Sequence, residues 1–194
     1  ISRSFVTKTG RILIPSYSFS GQATIAYIDS PTSTVTRTKN TSNANFGHGG
    51  NIRKFIQLGE LIIGYGNNST WYFSADDGLH WKDSTVYAAG ALIPVGYELV
   101  SDDTIHVELY AIGYSDICNI NMDIVIAPNS SYTGLNVSSV NTILNNSSFS
   151  NTFNYCAYNR DVLLVADNSN VYVYSIHDID SLSNNSPIST LNKI

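Results

Sequence analysis

Short apolar runs alternate with polar turns along the whole chain. Apolar residues almost never recur at the i, i+3, i+4, i+7 spacing of an amphipathic helix. The runs are rich in Ile, Val, Tyr and Thr and are bounded by Gly, Asn, Asp and Ser, the pattern of strands. Four stretches share one layout, near residues 10–30, 59–83, 103–127 and 160–182. In the first, Gly10 to Pro15 leads through a turn at Ser20-Gly21 into Ala23 to Asp29. In the second, Gly59 to Tyr65 leads through Asn67-Asn68 into Thr70 to Asp76. The third joins Asp103–Leu109 to Ile120–Ala127, and the fourth joins Arg160–Ala166 to Val171–Ile176. Each reads as a β-hairpin. Its first strand is an almost unbroken apolar run, which predicts burial on both faces. Its second strand alternates more.

Leu13, Ile62, Val107 and Leu163 anchor these hairpins at separations of 49, 45 and 56 residues. Repeats of about 40–50 residues, each with a buried inner hairpin, predict a propeller-like array of about four blades. One blade cannot bury both of its faces alone, so neighbours must cover it. A β-sandwich or jelly roll is the alternative all-β arrangement. No low-complexity linker divides the chain, so residues 1–194 read as one domain. The polar stretches Thr32–Gly50 and Asn129–Asn154 are expected to hold outer strands and surface loops, and Ser181–Ser189 a loop.

Composition narrows the classes of function. Charged residues are only 13% of the chain, so Ser, Thr and Asn carry most of the polarity. The net charge of −5 argues against a global nucleic-acid footprint. No apolar run reaches the roughly 18 residues of a membrane-spanning helix. The four histidines, His48, His80, His106 and His177, stand singly, and no metal or cofactor motif accompanies them. Cys118 and Cys156 are either two free thiols or one bridge.

The second hairpin continues as Ser74-Ala75-Asp76-Asp77-Gly78-Leu79-His80-Trp81. Ser74 closes a strand, Asp76 can accept backbone N–H bonds across a turn, and Gly78 supplies a positive φ. Trp81 opens the return strand. This Ser-x-Asp-x-Gly-x-x-Trp pattern resembles the Asp-box of the sialidase-like BNR-repeat propellers. Tyr27-Ile28-Asp29-Ser30 and Tyr174–Asp178 occupy comparable places but lack the Gly and Trp. In that family the box is a peripheral turn. The resemblance therefore implies a structural role for Ser74, Asp76, Gly78 and Trp81, and fold rather than chemistry.

A sialidase resemblance would also imply an arginine clamp on a substrate carboxylate. The expectation to test is convergence of Arg11, Arg53 and Arg160 on one pocket with a tyrosine. Gly10–Pro15 matches the family's arginine motif only superficially, since two residues separate Arg11-Ile12 from Pro15. No nucleophile stands out among 13 tyrosines. No catalytic residue is assigned, and the sequence points away from an enzyme. Trp71 and Tyr72, with Asn67 and Asn68, are the candidates for binding a host glycan by ring stacking and amide hydrogen bonds. The same residues can equally be packing groups. The low-charge, Asn/Ser/Tyr-rich composition is similar to that of phage tail and other virion-surface β proteins. The expectation is a non-enzymatic structural or receptor-binding module, on a virion or extracellular (alternatively secreted), that associates with itself or with other surface proteins. A sialidase-like glycoside hydrolase, or a fragment of one, is the alternative.

Overall fold

A computed structural model describes residues 4–17, 23–30, 34, 36–37, 39–40, 52, 54–66, 69–113, 116–126, 132–145, 155–159, 161–166, 169–175, 177 and 187–192. The described residues are all-β and contain no helix. They form four small sheets, each a meander in chain order. Sheet I holds β1 (Phe5–Val6), β2 (Ile12–Tyr17), β3 (Ala23–Ile28) and β4 (Thr36–Arg37). Sheet II holds β6 (Lys54–Leu58), β7 (Leu61–Tyr65), β8 (Thr70–Ser74) and β9 (His80–Thr85). The short β5 (Lys39–Asn40) joins its edge parallel to β9, the only parallel pair among the described strands. Sheet III holds β10 (Ala91–Ser101), β11 (Thr104–Ile112), β12 (Asp116–Ile126) and β13 (Tyr132–Asn145). Sheet IV holds β14 (Tyr155–Tyr158), β15 (Val162–Ala166), β16 (Asn170–Ser175) and β17 (Ser189–Asn192). The paired runs of the sequence are the middle two strands of each sheet. None of the sheets closes on itself.

The sheets stack through three apolar clusters, in chain order. Leu13 and Ile25 of sheet I meet Phe55, Ile62, Tyr72 and Trp81 of sheet II. The opposite face of sheet II, with Ile63, Trp71 and Phe73, meets Val107, Leu109, Ile120 and Met122 of sheet III. At one end of its far face, sheet III presents Ile93, Tyr110, Ile112 and Ile117 to Leu163, Val165 and Tyr174 of sheet IV. Period-2 alternation explains how one strand serves two clusters: Ile62 points one way from β7, and Leu61 and Ile63 the other.

Burial of large side chains on both faces is confined to the inner sheets; on the outer faces of sheets I and IV the buried apolar residues are the small Ala26 and Ala166. All five residues of β7 are buried. Its counterparts β2 and β15 bury Leu13, Leu163 and Val165 on one face, while Ile12, Ile14, Val162 and Leu164 on the other are only half-buried. The expectation of burial on both faces thus fails for these two strands, because sheets I and IV each pack on one neighbour only.

Of two long strands, β10 departs from the sequence reading and β13 is one of the outer strands it expected. β10 falls in a segment assigned to no hairpin. The Ser/Asn-rich stretch after Asn129 supplies the 14-residue β13, the longest described strand. Ser189, expected in a loop, opens β17; residues 181–186 lie outside the described residues.

Candidate functional site

The box sits where the meander of sheet II turns from its third strand to its fourth. β8 ends at Ser74 and β9 begins at His80. Ser74 Oγ accepts a hydrogen bond from the Gly78 amide at 2.9 Å and donates to Asp76 Oδ1 at 2.9 Å. Asp76 Oδ1 also accepts from the His80 amide at 2.9 Å, and Asp76 Oδ2 lies 2.6 Å from His80 Nδ1. The Trp81 indole donates to Gly78 O at 2.8 Å. Side chains thus satisfy backbone groups that a five-residue turn would otherwise leave unpaired. Asp77 and Gly78 both adopt the left-handed conformation, at φ 59° and 82°. Asp tolerates that region better than most residues. Gly78 is needed there for a second reason, because a Cβ would sit 2.7 Å from Leu13 Cδ2 of sheet I.

That near-contact belongs to a latch between two sheets. Arg11, just before β2, donates through Nη1 to the Asp77 carbonyl at 2.8 Å, and Nη1 lies 3.5 Å from Asp77 Oδ2. Its Nε donates to Asp29 Oδ1 at 2.6 Å, and its guanidinium lies 4.7 Å from the centre of the Tyr27 ring. Thr9 Oγ1 donates to Asp77 Oδ2. The Arg11 and Asp77 side chains are 15% and 19% exposed, so this pair is screened far less than a surface salt bridge. Arg11 is thereby placed on the box, bridging Asp29 of its own sheet and Asp77 of the next. Arg53 and Arg160 lie outside the described residues.

Trp71 and Tyr72 have relative exposures of 0% and 1%. Trp71 packs between sheets II and III, with its indole N–H donating to Tyr87 O. Tyr72 packs between sheets I and II, where burial, with Asp83 adding to it, pushes its hydroxyl up to about 12. Neither ring offers a free face, so stacking of a glycan on them is corrected to packing between sheets. Asn67 and Asn68 lie outside the described residues. Trp81 is also buried, its ring centre 5.8 Å from that of Phe55.

The chain matches no family model, and no curated protein matches it.

Sequence reasoning missed two polar features. The first is the Arg11–Asp77 latch: the partners are 66 residues apart, and no local pattern pairs them. The second is a polar ladder on sheet III, on the face that turns toward sheet IV at its apolar end. There Asn121 Nδ2 donates to Asn119 Oδ1 at 2.7 Å, and Asn119 Nδ2 donates to Glu108 Oε1 at 2.6 Å. His106 Nδ1 lies 2.7 Å from Asp123 Oδ1 one row further along. The alternation of β11 and β12 hints at this face, since Thr104, His106 and Glu108 alternate with Ile105, Val107 and Leu109. Among the described residues, no group of three His, Cys, Asp or Glu is arranged to hold a metal. Cys118 is buried, its Sγ 3.9 Å from Asp116 Oδ2; Cys156 has no described side chain. His48 lies outside the described residues, and His177 Nε2 is 3.6 Å from Asp161 Oδ1 at the surface. No helix among the described residues is long and apolar enough to cross a membrane.

Proposed function

We propose that this chain is a non-enzymatic structural or receptor-binding module of a virion tail or another extracellular surface, built as a propeller-like array related to the BNR-repeat family. The observation that carries the reading is the use made of the box. Its Ser, Asp, Gly and Trp hold one turn of a four-stranded meander, and Arg11 of the preceding sheet is bound to that turn. Four four-stranded meanders stack in chain order, which supports reading them as successive blades. The low share of charged residues and the abundance of Asn, Ser and Tyr favour an extracellular or virion surface by compositional analogy.

The competing reading, a sialidase-like hydrolase, requires Arg11 to be a ligand for substrate. Turnover of a fluorogenic sialoside by the wild-type protein and by Arg11→Ala tests the choice. The proposal expects no hydrolysis above buffer from either protein, and lower thermal stability for Arg11→Ala. Hydrolysis by the wild type that vanishes in a folded Arg11→Ala variant would overturn it.

A further inference from the structure

The stacking order gives every sheet a backward face, toward its predecessor, and a forward face, toward its successor. Three forward-on-backward junctions are made inside the chain, and each is built on an apolar cluster. Two faces of the same kind remain. The backward face of sheet I carries Val6, Ile12, Ile14, Ala26 and Ile28, which register brings together across β1, β2 and β3. The forward face of sheet IV carries Val162, Leu164, Ala166, Val171, Val173 and Leu191 across β15, β16 and β17. These faces are partly open: Val6 is 62% and Leu191 56% exposed, and Ile12, Ile14, Val162, Leu164, Val171 and Val173 are half-buried. Contiguous apolar surface of this kind marks interaction sites in folded proteins. No apolar cluster joins sheet I to sheet IV among the described residues.

We propose that a second copy of this chain covers these faces head to tail, with sheet IV of one copy seated on sheet I of the next. The inference rests on the propeller-like stacking read above. It commits to this partner because the contact repeats, between copies, the forward-on-backward junction already made three times within one copy. A two-fold contact would instead place forward on forward or backward on backward, a pairing the fold makes nowhere. Such a heterologous interface closes into a ring or extends, according to the rotation between copies.

Light scattering coupled to size exclusion, over a hundredfold range of concentration, tests the proposal on the full chain. Wild type should exceed the monomer mass, increasingly so at higher concentration. Ile14→Glu on sheet I and Val173→Glu on sheet IV should each weaken association at least tenfold while keeping the β-type circular dichroism. Mixing the two variants should restore a dimer and nothing larger, because one intact face of each kind survives. A wild type that is monomeric throughout would overturn the proposal, as would variants that fail to complement. Loss of association through one face alone would also overturn it, by indicating a two-fold contact. If either glutamate variant fails to fold, Ile12→Thr and Leu164→Thr serve the same comparison. A sialoside-hydrolysing protein that still assembles head to tail would refute the proposed function and leave this inference standing.

Discussion

β7 in sheet II and β15 in sheet IV are written almost alike, as Leu61-Ile62-Ile63-Gly64-Tyr65 and Val162-Leu163-Leu164-Val165-Ala166. Their surroundings differ. Ile62 and Ile63 are both fully buried, on opposite faces, whereas Leu163 is fully buried and Leu164 is not. Burial here is a property of the stack rather than of the strand. A two-faced apolar strand is covered on both sides only if the chain supplies a sheet before it and a sheet after it. Sheets II and III have both, and sheets I and IV have one each. The same contrast separates the junctions. Between sheets I and II, the apolar contact is reinforced by the box and by Arg11 reaching Asp77. Between sheets III and IV, an apolar cluster of Ile93, Tyr110, Ile112 and Ile117 with Leu163, Val165 and Tyr174 makes the junction.

The largest expected effect sets inner against outer isoleucines. Ile63→Ala opens a cavity between sheets II and III and should cost about 2–5 kcal/mol. Ile14→Ala removes a half-buried group from an outer face and should cost about 1 kcal/mol or less in dilute protein. Denaturant titration of the two variants measures the gap, and equal losses would break the comparison.

A smaller effect sharpens the contrast between junctions. Gly78→Ala places a Cβ against Leu13 at a left-handed backbone position, and should cost about 1–3 kcal/mol. The readout is a lowered melting temperature. Solvent exchange should rise at the junction of sheets I and II before it rises elsewhere.

The smallest effect concerns alkaline pH. The Tyr72 hydroxyl, with a reference value of 10.0, is pushed up to about 12 in the folded protein. A folded-state pKa above the unfolded value favours the protonated group in the fold. Its contribution is therefore complete below pH 10 and is lost as pH rises from 10 toward 12. Burial also raises Tyr174 and Tyr110, and raises Tyr87 together with its hydrogen bond to Asp116. The wild type should lose stability steadily across that window, and Tyr72→Phe should lose less.

What the sequence made legible was local. The central hairpins could be read because their apolar runs are short and bounded by Gly, Asn and Asp. The box could be read because all of its chemistry lies between residues 74 and 81. β10 was hidden: Pro94 and Gly96 interrupt it, and its pairing with β11 shifts register between Pro94 and Gly96 and again between Leu99 and Ser101. β13 was legible only as an outer strand somewhere between residues 129 and 154, because Ser, Asn and Thr among scattered apolar residues also suit a loop and leave its length and bounds open. The fate of Trp71 and Tyr72 could not be read from alternation. In a sheet covered on both sides, neighbouring aromatics point opposite ways and both are buried. Arg11 found its partner only through the packing of sheet on sheet.

Native-state hydrogen exchange, resolved strand by strand in dilute protein, tests the stacked arrangement most directly. Amides of β7 and β11, in the doubly covered sheets, should open only with global unfolding, while those of β2 and β15 should open earlier, at lower free energy. Equal protection across all four strands would contradict the account, because it would mean that sheets I and IV are covered as completely as the two between them.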